Sequence, residues 1–117
     1  MEIEKIIKEM SIEEKAKMIT GAEDLSTCAM EKYGIPAVIM SDGPHGVRLC
    51  GKQPCHIPGG PVCFPTASAM GATWNRELIY RAGQGMGRDF AKCDIQMVLG
   101  PGVNMKRTPK CGRNFEY

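Results

Sequence analysis

At 117 residues the chain is long enough for one small domain and no more. Its 43% hydrophobic and 24% charged residues are ordinary for a soluble globular protein, and a net charge of +2 is too small to suggest a nucleic-acid or membrane surface. No apolar stretch approaches the ~20 residues of a membrane span, and the charged opening Glu2-Ile3-Glu4-Lys5 is unlike a signal peptide, so the expected compartment is the cytoplasm.

The first predicted element is a short helix, because Ile3, Ile6, Ile7 and Met10 recur at helical spacing. Ser11-Ile12-Glu13-Glu14 then has the pattern of a capping box, with Ser11 as N-cap and Glu14 reaching back to it. Ile12, Ala16 and Ile19 give the following helix an apolar stripe, and Gly21 stops it. Residues 22–33 form a polar connection to a predicted strand, Ala37–Met40, with Pro36 keeping Ile35 extended. Four consecutive apolar residues imply burial on both faces, as in a parallel α/β sheet. An irregular stretch to about Pro65 follows, holding Pro54, Pro58, Pro61 and Pro65; loops of that length inside compact domains are often functional. Asn75 is the predicted N-cap of a longer helix whose stripe is Ile79, Ala82, Met86, Phe90 and Cys93. Gly83, Gly85 and Gly87 lie in its middle, where close packing explains them better than phosphate binding. Ile95–Leu99 is the second strand. Strand, helix, strand makes a right-handed crossover with parallel strands.

Chemistry concentrates beyond the strand ends, where α/β folds place ligand sites. After the first come Asp42, His45 and Arg48, interleaved with Gly43 and Gly46, which let the backbone turn and a ligand approach. After the second come Asn104, Lys106, Arg107, Arg113, Asn114 and Glu116, on the same side of the sheet if the strands are parallel. His45 and Arg48 also suit turn-stabilising hydrogen bonds to carbonyls. Glu116 suits a loop ion pair better than a catalytic partnership with Asp42. The cluster Lys106, Arg107, Lys110 and Arg113 is expected to be a solvated loop, and Trp74, beside a helix start, a packing anchor. The six cysteines are expected as free thiols, with Cys93 a small core hydrophobe. Cys50, Cys55, His56 and Cys63 could form a zinc set, but their spacing fits no paired ligand pattern.

Five blocks occur in order: Ser41-Asp42-Gly43-Pro44-His45-Gly46-Val47-Arg48, Cys63-Phe64-Pro65-Thr66-Ala67, Ala72-Thr73-Trp74-Asn75, Leu99 through Arg107, and Cys111-Gly112-Arg113-Asn114-Phe115-Glu116-Tyr117. Together they resemble the opening of glycoside hydrolase family 3, its β-glucosidase group in particular. The resemblance implies an α/β fold: the N-terminal portion of a (β/α)8 TIM-like barrel, about the first two β/α units plus leading helices. Residues 1–117 would be a partial N-terminal domain, with the rest of the barrel and a C-terminal domain absent. The implied reaction is retaining hydrolysis of terminal, non-reducing β-linked sugars, with two carboxylates ~5–5.5 Å apart across the bond. No cofactor is implied, and the partner is a small β-glucoside or oligosaccharide.

By the same resemblance, Asp42 corresponds to the carboxylate that binds hydroxyls of the terminal sugar, and Arg113 to the arginine that helps hold it. His45 and Arg48 complete the expected substrate-binding set. The family's aspartate nucleophile and glutamate acid/base belong to later motifs, as does a lysine–histidine pair of the same pocket; the chain itself ends without a terminating signal. Three readings follow: a piece of such a hydrolase, a non-catalytic truncated product acting at most as a weak sugar-binding or interaction module, or a cysteine-rich metal protein.

Overall fold

The computed structural model describes residues 2–23, 25–49 and 54–116, with the side chain of Glu116 left out. The chain divides into two compact units, residues 1–40 and 41–117.

The first unit opens with α1 (Ile3–Glu9) and α2 (Ile12–Thr20). The break between them comes from the capping box: Ser11 N–H donates to Glu14 Oε2 at 2.9 Å, and Glu14 N–H donates to Ser11 Oγ at 3.1 Å. Gly21, at φ 86°, ends α2 in a conformation that a side chain would strain. Met10, Cys28 and Met30 form the core of this unit, with Ile6, Met18, Tyr33 and Ile35 packed against them. The stretch 22–33 is therefore more than a polar connection. It turns through a 3-10 element at Glu31–Tyr33, pairs Met30 with Ile35, and delivers two of the three core side chains. The expected inward stripe of α2 is also corrected, since Ile12, Ala16 and Ile19 face solvent and Ile19 is 89% exposed. Met18 is the α2 residue that packs inward.

The predicted strand shifts toward its polar end. Thr27 N–H donates to Val38 O at 3.0 Å, Val38 N–H donates to Thr27 Oγ1 at 2.8 Å, and Ile39 pairs with Ser26 in an antiparallel bridge. Residues 38–39 are thus engaged by their own unit, and the ladder strand β1 is Met40–Asp42, with Ser41 its buried residue.

β1, whose Ser41 and Asp42 open the second unit, is paired with β2 (Met97–Leu99) in a two-stranded parallel sheet, linked by α3 (Ala67–Ala72) and α4 (Arg76–Lys92). β2 starts two residues later than predicted because Ile95 N–H still donates to Phe90 O, closing the end of α4. All three β2 residues are exposed rather than buried, since a parallel sheet needs elements over both faces to bury its strands. Asn75 caps α4 by accepting from Leu78 N–H at 3.1 Å. The predicted stripe holds at its C-terminal half, where Phe90 and Cys93 are buried together with Ile95. Its N-terminal half borders an apolar hollow of about 540 Å³, lined in part by Ile79, Gly83, Met86, Gly87, Phe90 and Val98. Close packing explains Gly85, where an added Cβ would lie 2.9 Å from the Phe64 ring. It does not explain Gly83 and Gly87, where a Cβ would meet nothing within 4 Å. Trp74 is no packing anchor among the described residues: it is 92% exposed, at φ 52° in the junction between α3 and α4.

Candidate functional site

β1 carries Asp42 to the start of a tight polar loop. Ser41 Oγ reaches across that loop, 2.6 Å from Arg48 O and 2.9 Å from Asp42 O, clasping the two ends together. Across the same gap Arg48 Nη1 donates to Asp42 Oδ2 at 3.3 Å. The pair is open to water, with the Asp42 side chain 49% and the Arg48 side chain 69% exposed. Such an ion pair contributes little stability, but it gives the carboxylate a preferred direction. The bend needs both glycines. Gly43 (φ 126°) would drive a Cβ into Gly46 O, and at Gly46 (φ 140°) a Cβ would lie 2.6 Å from Val62 O.

His45 ties this loop to the next segment. Its carbonyl accepts from Phe64 N–H at 2.6 Å, and its Nε2 accepts from Ala67 N–H at 3.2 Å, at the first residue of α3. That assignment leaves the ring proton on Nδ1. Thr66 caps the same helix end, accepting from Ala69 N–H at 3.4 Å. The imidazole nitrogen thus serves the backbone as an acceptor, whereas the turn-stabilising reading of His45 has the ring donating to a carbonyl.

The segment after β2 packs on the same side. A Cβ at Gly100 would lie 3.0 Å from Pro44 Cα, so the two strand-end loops touch. Lys106 Nζ donates to Ser68 Oγ at 2.7 Å, and Asn104 and Lys106 line a hollow of about 330 Å³ with Ala67 and Ser68. A second hollow, of about 210 Å³, lies between Gly43–Val47 and Pro61–Cys63. Arg113 is exposed, immediately before a 3-10 turn at Asn114–Glu116. The structure brings together Asp42 with Arg48, and His45 with the start of α3. The Glu116 side chain and Tyr117 lie outside the described residues. Sequence reasoning missed Ser41 and Ser68. A serine inside an apolar run signals only that a hydroxyl is buried there, and its partner at Arg48 follows from the loop geometry.

The cysteine–histidine set separates. Cys50 lies outside the described residues, Cys63 is exposed, and Cys55 contacts Cys93. His56 Nε2 lies 3.7 Å from Asp94 Oδ2. Among the described residues no group of three or more His, Cys, Asp or Glu is arranged to hold a metal.

Residues 2–116 match the model of the glycosyl hydrolase family 3 N-terminal domain. The chain belongs to glycosyl hydrolase family 3. Among its family 3 relatives, thermostable β-glucosidase B of Acetivibrio thermocellus is 41% identical over all of this chain and 16% of its own length. An exo-α-(1→6)-L-arabinopyranosidase of Bifidobacterium longum is 36% identical over 95% of the chain and 15% of its own length. The crystal structure of a Kluyveromyces marxianus β-glucosidase in complex with glucose superposes with a TM-score of 0.84 at 32% identity, covering 98% of this chain and 14% of that one. The 117 residues thus span about one sixth of the length of these curated relatives.

Proposed function

We propose that this chain is the opening part of a retaining family 3 glycosidase of the β-glucosidase type, and that it supplies sugar-positioning groups rather than the reacting carboxylates. The observation that carries this reading is Asp42: a half-exposed carboxylate at the C-terminal end of β1, steered by Arg48 and set on a glycine-shaped loop. In a TIM-like barrel that end of the strand faces the catalytic mouth. A carboxylate accepting from two hydroxyls, and a planar guanidinium such as Arg113 donating to others, suit the terminal ring of a β-D-glucoside. Arg48 aims the carboxylate, and His45 fixes the loop on α3. A small carbohydrate is the expected ligand, supported by the glucose bound in the Kluyveromyces marxianus relative. The arabinopyranosidase relative shows that related sequences serve other sugars.

In the proposed mechanism, the nucleophile and acid/base stand in other parts of the barrel and the following domain. Bonds from Asp42 tighten as the ring flattens toward the oxocarbenium-like transition state. In the full-length enzyme, Asp42→Ala should lower kcat/KM for an aryl β-glucoside by on the order of 10²-fold, the scale of losing charged hydrogen bonds of ~1.5–3 kcal/mol each. The melting temperature should stay near wild type, because an exposed ion pair holds the fold weakly. Steady-state kinetics beside a melting curve checks both. Activity lost only in proportion to lost folded protein would make Asp42 structural.

A further inference from the structure

The irregular segment 54–66 is fastened to the C-terminal end of α4 at a place the sugar chemistry does not use. His56 N–H donates to Lys92 O at 3.0 Å, and His56 Nε2 lies beside Asp94. Between these ties Cys93 S–H donates to Cys55 Sγ at 3.2 Å. Cys93 is fully buried, at 0% exposure, whereas Cys55 is partly open to solvent. A covalent S–S bond is ~2.0 Å long, so closure needs about an ångström of movement, and Cys55 sits in a stretch without regular secondary structure.

We infer that Cys55 and Cys93 are a reversible redox pair, closed to a disulfide by exchange with a small-molecule disulfide of the glutathione class. The accessible thiol acts first. Cys55 loses its proton to water and its thiolate attacks one sulfur of the small disulfide, forming a mixed disulfide and releasing a thiolate that takes up a proton. Cys93 then attacks the Cys55 sulfur, its proton passing to the departing small thiolate. The intramolecular bond forms, and a second small thiol leaves. The protein is oxidised by two electrons, and one small disulfide becomes two thiols. Burial first, and then contact with Cys55, push the Cys93 thiol up to about 11. That keeps it from acting as the first nucleophile. Closure would join positions 38 residues apart, fixing the segment that carries Phe64 and, through its N–H, the His45 carbonyl.

The test incubates the full-length chain, natively folded, with oxidised glutathione, alkylates remaining thiols with N-ethylmaleimide and maps tryptic peptides. Cys55 lies in the peptide Gln53–Arg76 and Cys93 in Cys93–Lys106; fragment spectra distinguish Cys55 from Cys63. The expected result is a Cys55–Cys93 link with loss of both free thiols, reversed by dithiothreitol. Cys55→Ser should leave Cys93 without link or adduct, and Cys93→Ala should trap glutathione on Cys55. Both thiols alkylated singly throughout, or Cys55 linked to Cys63 or Cys111, would overturn the pair. So would protection that survives dithiothreitol but yields to a chelator, which would indicate a bridging soft metal ion.

Discussion

Gly46 and Gly59 both hold positive φ, at +140° and +81°, yet they differ in what a methyl would meet. At Gly59 there is open space, and alanine there carries backbone strain alone. At Gly46 the methyl would press on Val62 O at 2.6 Å, and backbone cannot yield as a flexible side chain does. Gly46→Ala should therefore cost on the order of 1–3 kcal/mol beyond any effect of Gly59→Ala, and should also weaken activity by displacing the Asp42 loop. Paired denaturation curves and kinetics of the two variants check this; equal effects would mean that strain alone matters. At this scale the position of Asp42 was legible, because an apolar run followed by Gly-Pro marks a strand that ends in a turn. The employment of His45 was not, since its partner Ala67 lies 22 residues away and depends on how α3 approaches.

Among the elements, the join of α1 and α2 is the one a short motif dictates. Ser11→Ala removes the acceptor for Glu14 N–H, and should destabilise α2 by about 1 kcal/mol, measurable as faster amide exchange at Glu14. The Glu14 carboxyl is held below its ordinary value of 4.5, first by the Ser11 N–H, then by the Tyr33 hydroxyl, with Lys32 assisting. Because the folded value is depressed, its contribution is present above the ordinary carboxylate range and lost as pH falls through the folded value. Wild type should lose this increment on acidification. Glu14→Gln, which keeps an acceptor but does not titrate, should show a smaller fall in its melting midpoint over the same acidification, the neighbouring Glu13 carboxyl being held down as well. The capping box and the Asn75 cap were readable because each closes within three residues. The strand bounds were not. Whether residues 38–39 join the sheet or pair with residues 26–27 is a choice between partners, and periodicity carries no information about partners.

For the molecule as a whole, family membership was the most legible property, since five blocks in fixed order constrain far more than any single pattern. Burial was the least legible. Stripes on α2 and α4 mark faces suited to cover, yet Ile19 is exposed and the flank of α4 opens on a hollow, because covering a face requires other elements. If the 117 residues contribute sugar-positioning groups alone, then expressed by themselves they should give no turnover of aryl β-glucosides above buffer. Clear turnover abolished by Asp42→Ala would restore Asp42 and Glu116 as a reacting pair.

The Ser41 clasp has a bearing on how such a chain can change length over generations. With Oγ fixed 2.6 Å from Arg48 O, the perimeter from 41 to 48 is a closed ring, and an inserted or deleted residue there breaks the ring instead of lengthening a loop. The turn at Ile57–Gly60, closed by a single backbone bond and bordered by open space at Gly59 and Gly60, has no such constraint. Descendants of this sequence should therefore accumulate length differences around residues 57–60 while the Ser41–Arg48 ring keeps its count.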